Sequence, residues 1–494
     1  MAPQAEFQLS DDVVVPSFGG FGVHLNHHVF APMTVELGAP EPSFPDLRRK
    51  VIDLAPQVVR IFYNDTHEGV PFDKSRPVSD VNVRQTEPQK ERWKSFVDVV
   101  KLAHDTGAII NITWQGGQVG ETTMARFANV LELLVKGEAR NVRWATIANE
   151  PNTQPDPEHP PAIPLTPQRL GEGYRLLHGK LTERGIRSQI KLMGGDLIEG
   201  PEKPSVDRLH ELSPFNQLAW LKHIASSHLD DILDAYSVHI YWNYDRTGRE
   251  GVEKFERRLR EVRRVVDHLN LKKPLFVTEF GTRGKDRNKQ RGVNPGNFHG
   301  PGGAKVPLSH SAIAPFQAAW FMVRAAQRGY AGMLKWDCYF GKYDLTPPPR
   351  GLQQFYAIGP PVPPERREWN LLPMYHLLRL FNITTARGWK VLSVVPGERG
   401  SKHVVALKGP AGQLTLFGLD DRGASVNKSS KLRSRYRIGG LPNNTSFRRL
   451  SWNLGGGGKL RLERQPVKVK DGVVTIDAPI HCVFALTTKK LPPL

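Results

Sequence analysis

The chain has 494 residues, 39% hydrophobic and 24% charged, a composition that gives an ordinary globular protein a large core and room for more than one domain. No run is long enough for a membrane-spanning helix, and Met1 to Ser10 lacks a basic segment followed by an apolar one; no membrane partner and no signal peptide are expected, which leaves the compartment open. The net charge of +19 is spread over helices and loops without a nucleic-acid-binding module, so nucleic acid is not an expected partner either.

Glu6 to Val15 reads as extended. After it, eight apolar runs have the length and composition of buried strands: 19–25, 57–63, 108–113, 142–148, 190–194, 235–241, 274–281 and 332–336. Between them lie amphipathic helices. Trp93, Phe96, Val97, Val100 and Ala103 stripe one, with Gly107 to close it. Met124, Phe127, Leu131 and Leu134 stripe the next. Thr166, followed by Pro167, starts a third, along which Leu170, Tyr174, Leu177 and Leu181 recur. Further helices fall near 217–226, 251–268, 316–323 and 371–381.

Eight strand–helix alternations predict an α/β fold, a (β/α)8 TIM barrel over residues 16–388. An open doubly wound sheet fits less well, because no glycine-rich phosphate turn follows the first strand. From Trp389 the pattern changes to short strands separated by Gly, Pro and Asn turns. This predicts an all-β sandwich over 389–494, with 5–15 as an added strand. Cys338 and Cys482 fall in different domains, so no disulfide is expected, and two cysteines cannot make a zinc site by themselves.

The chemistry concentrates at two strand ends. The run 142–148 stops at Asn149-Glu150-Pro151, where the proline cannot donate to a ladder and biases Glu150 away from helix. The run 274–281 delivers Glu279 in the same way. In a barrel both carboxylates belong to the C-terminal rim, on strands four and seven. Held about 5 Å apart, such a pair suits double-displacement cleavage of a glycoside, one carboxylate attacking the sugar and the other protonating the leaving oxygen. Each Glu alone is equally compatible with a plain loop carboxylate.

At these residues the sequence resembles the clan of retaining glycoside hydrolases with (β/α)8 barrels, which includes families 5, 30, 39, 51 and 79. Asn149-Glu150 matches its strand-four motif and Glu279 its strand-seven motif, whose context Val277-Thr-Glu-Phe-Gly-Thr282 is somewhat nearer family 39 than family 5. The resemblance implies Glu150 as general acid/base, Glu279 as nucleophile and Asn149 as a ligand of the sugar 2-hydroxyl. It also implies that Arg60, a cation in an apolar strand that needs an anionic partner, sits beside the nucleophile. His239 and Tyr241 alternate with Val238 and Ile240, so they share a face of strand six; the resemblance gives them to the nucleophile and substrate. Trp336 is expected as the floor under the sugar. His24 and Asn26 are expected to touch substrate. Family 5 usually has a His at the end of strand three, where this chain has Asn111-Ile-Thr-Trp-Gln115, so Trp114 and Gln115 are candidates for the pocket there. A structural ion pair for Arg60, core packing for Trp336 and a buried hydrogen bond for His239 are the competing readings.

Two long loops, 282–310 and 341–369, flank the expected mouth and favour removal of terminal sugars. The first carries Arg283, Lys285, Arg287, Lys289 and Arg291, suited to an acidic sugar or simply to solvent. The resulting expectation is a retaining exo-glycosidase with a carbohydrate substrate and no metal or organic cofactor. A noncatalytic glycan-binding barrel and a transglycosylase are its rivals. The sequence does not name the sugar or the oligomeric state.

Overall fold

The computed structural model describes residues 5–153, 165–199, 216–243, 249–283, 298–299, 305–306, 313–341, 356–361, 365–424 and 432–493, less the isolated positions 37, 75–78, 80, 117–118, 138 and 228. Eight parallel strands close into a barrel: Gly20–Leu25, Val58–Tyr63, Ile109–Trp114, Val142–Thr146, Lys191–Ile198, Ala235–Asn243, Leu275–Arg283 and Gly332–Lys335. They are strands one to eight below. Gly332 pairs with Gly20, which joins the last strand to the first.

The helices begin where their caps allow. Thr86 accepts from the Gln89 N–H while the Gln89 side chain accepts from the Thr86 N–H, a reciprocal cap that starts Glu87–Asp105. Thr166 caps Pro167–Glu183 through the Arg169 N–H at 3.2 Å. The helix Ile313–Gln327 has no solvent face over most of its length, being buried from Ile313 to Ala326. That explains its apolar sequence: one side packs on the barrel and the other meets the C-terminal domain.

The C-terminal domain is a mixed sheet of 11 strands. Its interior is filled by alternate residues of facing strands, among them Leu392, Leu416, Tyr436, Ile476 and Phe484. The N-terminal strand Ala5–Val15 runs antiparallel to Lys390–Val395 and parallel to Arg433–Gly439, and Phe7 joins that interior. The opposite faces of the central strands, with Val405, Leu407, Phe417 and Val483, merge into the barrel core. Each such apolar side chain contributes about 1.5–3 kcal/mol by burial, so the two domains hold each other. Trp452 Nε1 donates to the Pro373 carbonyl at 3.0 Å across the same boundary. Both cysteines are buried and free.

Three strands differ from the sequence reading where it matters. Strand four ends at Thr146, so Glu150 lies in the following loop rather than at the strand's last residue. Strand five continues to Ile198 instead of stopping at Gly194. It does so through a bulge, in which Gly195 has φ +119° and Asp196 φ +48°. A Cβ on Gly195 would lie 2.5 Å from the Ser237 carbonyl, so only glycine fits. Strand seven runs on to Arg283 and carries a bulge of its own: Val238 pairs with Val277, but the next residue, His239, pairs with Glu279.

Candidate active site

Strand alternation decides what enters the barrel. Strand two turns Arg60 and Phe62 inward; strand six turns in Ser237, His239 and Tyr241. The two bulges add side chains that simple alternation would not. On strand seven, Thr278 and Glu279 both face the interior: Thr278 Oγ1 donates to Asp196 Oδ1 at 2.5 Å, and Tyr241 Oη donates to Glu279 Oε2 at 2.6 Å. On strand five, Asp196 points in, with its N–H donating to Ser237 Oγ at 2.8 Å.

Arg60 is the hub. Fully buried, it donates from Nη1 to Glu279 Oε1, from Nη2 to Asp196 Oδ2 at 2.5 Å and to Asn149 Oδ1 at 2.9 Å, and from Nε to Thr113 Oγ1 at 2.9 Å. Its guanidinium also lies over the Phe62 ring, 4.5 Å from the centroid. Burial opposes the charge on Arg60, but Asp196 and Glu279 outweigh it and raise its pKa. Burial likewise opposes ionisation of Asp196, and Arg60 and His239 outweigh it, so this carboxyl stays below the usual carboxylate range.

His239 is the second cation. Its Nδ1 lies 3.0 Å from Glu150 Oε1 and 3.5 Å from Glu279 Oε2, and its Nε2 lies 3.8 Å from Asp196 Oδ2. Burial pushes its pKa down, yet Glu279, Asp196 and Glu150 together raise it to about 9. Ligand atoms of Glu150, His239 and Glu279 all lie within 4.8 Å of one another.

Glu150 arrives by a different route. It has φ +48°, a left-handed conformation that a non-glycine residue adopts at some cost. The loop that imposes this is tied down by Asn152, whose Nδ2 donates to the Ile198 carbonyl at 2.6 Å while its Oδ1 accepts from the Ile198 N–H at 2.9 Å. The Glu150 side chain keeps 22% of its surface open, against 5% for Glu279.

The other expected site residues divide. Trp336 is at the rim, 7% exposed, in an apolar group with Phe62, Ile198 and Tyr241. His24 packs behind it, with ring centroids 4.3 Å from Trp336 and 4.4 Å from Phe62. Expected to touch substrate, His24 has no exposed surface and instead backs the aromatic floor. Asn26, expected in the same role, is also fully buried; its Oδ1 accepts from the His28 N–H at 2.8 Å and so shapes the loop. Trp114 is the clearest correction. Asn111 and Thr113 take the inward positions of strand three, so Trp114 points outward and packs on Tyr63 and Phe127, away from the pocket. Gln115 is exposed. Of the basic loop, Lys285, Arg287, Lys289 and Arg291 and the Arg283 side chain lie outside the described residues, as do 342–355 of the second loop.

Sequence reasoning missed Asp196, Thr278 and Phe62. Phe62 was within reach, being two residues from Arg60 on one strand. Asp196 was hidden by Gly194-Gly195, which read as the end of a strand and is a bulge within it. A cavity of about 1020 Å3 opens at the opposite, N-terminal end of the barrel, lined by Phe18, Arg143, Trp144, Lys191 and Phe276 among others, and shares no residue with this cluster.

No family model matches the chain, and no curated protein matches it by sequence. Solved structures do match it in fold, end to end. A family 51 α-L-arabinofuranosidase from Bifidobacterium longum superposes with a TM-score of 0.65 at 12% identity, covering 99% of this chain and 100% of that one. The catalytic domain of a glycoside hydrolase family 30 xylanase C from Talaromyces cellulolyticus gives 0.63 at 10% identity, covering 98% and 100%. An α-L-arabinofuranosidase from Thermotoga maritima, in an arabinose complex, gives 0.60 at 12% identity, covering 98% and 99%. The coverage takes in both the barrel and the sheet domain, so the chain has the architecture of the clan A glycoside hydrolases of families 30 and 51.

Proposed function

We propose that this protein is a glycoside hydrolase that works with retention of configuration, with Glu279 as nucleophile and Glu150 as general acid/base. The observation that carries the reading is the approach of the two carboxylates to within 4.8 Å, with His239 between them. That spacing belongs to the double-displacement geometry and is too short to admit the water that single displacement requires.

Charge balance assigns the roles. Two cations, Arg60 and His239, face three carboxyl groups, those of Asp196, Glu279 and Glu150. Asp196 and Glu279 take the guanidinium, and Tyr241 adds a hydroxyl donor to Glu279. Glu279 is thereby held in place for attack on the anomeric carbon. Glu150, 3.0 Å from His239 Nδ1, is the most open of the three, so it is the one placed to carry a proton to the leaving oxygen and later take one from water. With Asn149 Oδ1 engaged by Arg60, the amide N–H groups of Asn149 are the donors left for a sugar hydroxyl. Trp336 and Phe62 supply an apolar wall for the ring. The chemistry described uses side chains alone.

The structural neighbours are named as xylanases and arabinofuranosidases, so pentosides head the substrate list. Removal of terminal sugars remains the expected mode, from the long loops after strands seven and eight. The test is proton NMR of early products from 4-nitrophenyl β-D-xyloside and α-L-arabinofuranoside, followed by a wider panel of glycosides. Retained anomeric configuration in the first product supports the reading. Inversion, or sugar binding without turnover of any member of the panel, overturns it.

A further inference from the structure

We propose that His27, His28 and Glu68 form a binding site for a divalent transition-metal ion, zinc being the closest match, that pins the loop after strand one to the loop after strand two.

The three side chains are fully buried, and one donor atom from each lies within 4.8 Å of the others. His27 Nε2 and His28 Nε2 both aim at the same oxygen, Glu68 Oε1, at 3.3 and 2.7 Å. A tetrahedral zinc ion with bonds of about 2.1 Å holds its donors about 3.4 Å apart, so the cluster needs only slight opening to admit one. The other carboxylate oxygen is already used: Glu68 Oε2 accepts from the Asn64 N–H at 2.6 Å, leaving Oε1 as a single-atom donor. Two imidazoles and a carboxylate are a ligand set that zinc favours over calcium or magnesium.

The backbone carrying these donors is fixed at each step by hydrogen bonds from neighbouring side chains, as the ligands of a metal ion are held in place. Ser95 Oγ donates to the His27 carbonyl at 2.8 Å, the His28 N–H donates to Asn26 Oδ1 at 2.8 Å, and Thr34 Oγ1 donates to the His28 carbonyl at 2.7 Å. Gln85 Nε2 holds the Glu68 carbonyl at 2.6 Å. Electrostatics also asks for a cation. Glu68 is a buried carboxylate, and among the described residues no Lys or Arg forms an ion pair with it; the charge is met by two imidazoles and the Asn64 N–H. An isolated buried anion is costly, and a metal ion would neutralise it without charging either histidine.

The test is metal analysis of protein purified without a polyhistidine tag or metal-affinity step. Elemental analysis by mass spectrometry is expected to find about one equivalent of zinc per chain, lost in Glu68→Gln and in His28→Ala but kept in Glu279→Gln, whose carboxylate belongs to the other His–Glu cluster. Treating the wild type with EDTA should lower Tm by several degrees, and added zinc chloride should restore it. The EDTA shift should be missing in Glu68→Gln. Metal content near zero, with no Tm response of the chelated wild type to zinc, overturns the proposal and leaves a purely hydrogen-bonded trio. So does metal that stays bound in Glu68→Gln. The chelation arm stands even if a variant fails to fold.

Discussion

Glu279 and Glu150 reach one point in space from opposite kinds of ground. Glu279 sits on a strand, 4% exposed, gripped by the Arg60 guanidinium and the Tyr241 hydroxyl. Glu150 stands on a loop in a left-handed conformation, more open, with His239 as its neighbour in the cluster. The residue type is the same and the chemistry it can do is not. A carboxylate gripped by a guanidinium and a phenol on a strand is held in one orientation; one beside an imidazole on the solvent side is within reach of both a leaving group and water. In the proposed mechanism the difference in surroundings, rather than the two glutamates themselves, divides the labour.

The strongest way to break this comparison is to neutralise each carboxyl in turn. Glu279→Gln is expected to lower kcat by about four orders of magnitude or more, with Tm close to wild type. Glu150→Ala is expected to lose roughly 100- to 10,000-fold on substrates with poor leaving groups, and far less on 2,4-dinitrophenyl glycosides, with azide restoring part of the rate. Steady-state kinetics on paired substrates reads both. If the leaving-group dependence appears in the Glu279 variant and not in the Glu150 one, the roles are reversed.

Next in size is the loss of the hub. Arg60→Met would leave Asp196 and Glu279 buried without their cation, and breaking a buried pair from one side costs about 3–5 kcal/mol. Urea denaturation should show that loss. Adding Asp196→Asn should recover part of it, because one of the two stranded anions is then gone. An unchanged midpoint for Arg60→Met would mean that the guanidinium does not hold the nucleophile as the geometry implies.

How much of this was legible in the sequence follows the same division between strands and bulges. The barrel was readable because eight buried runs alternate with striped helices; strand parity put His239 and Tyr241 on one face of their strand, and the family resemblance placed Arg60 beside Glu279. Trp114 shows parity neglected: Asn111 and Thr113 already held the inward places, so the next residue had to face the helices. Asp196 and Thr278 show parity defeated, since each enters the barrel at a bulge that inserts one residue into the ladder. A bulge depends on the partner strand's register, which is a tertiary property and leaves in the sequence only a hint such as Gly194-Gly195. His28 and Glu68 are 40 residues apart, His27 one further, and they meet only because strands one and two are neighbours.

A smaller change sharpens the contrast from the nucleophile's side. Tyr241→Phe removes one hydroxyl donor from Glu279 and leaves the ring beside Trp336. A hydrogen bond to a charged group contributes about 1.5–3 kcal/mol, so kcat/KM is expected to fall roughly 10- to 150-fold. A rise in KM alone, with kcat untouched, would assign Tyr241 to substrate binding instead.

The most gradual effect comes from the group that links the two carboxylates. His239 is faced by Glu150 from the strand-four loop, Asp196 from strand five and Glu279 from strand seven, with Arg60 and His24 as the nearby basic groups. Its pKa is raised from an ordinary 6.5 to about 9, so the folded protein holds this proton more tightly than the unfolded chain does. The stabilisation is complete below the unfolded value and is lost as pH rises through the folded one. Unfolding free energy should therefore decline between pH 6.5 and 9, by on the order of 1 kcal/mol per pH unit at most. The depressed carboxyl of Asp196 acts in the opposite sense, and its contribution disappears only in acid, below the ordinary aspartate range. Urea midpoints measured across this range, for wild type and His239→Gln, would separate the two. A slope that persists unchanged without the imidazole would show that His239 is not the charged bridge between Glu150 and Glu279, and the division of roles would then rest on Arg60 and Tyr241 alone.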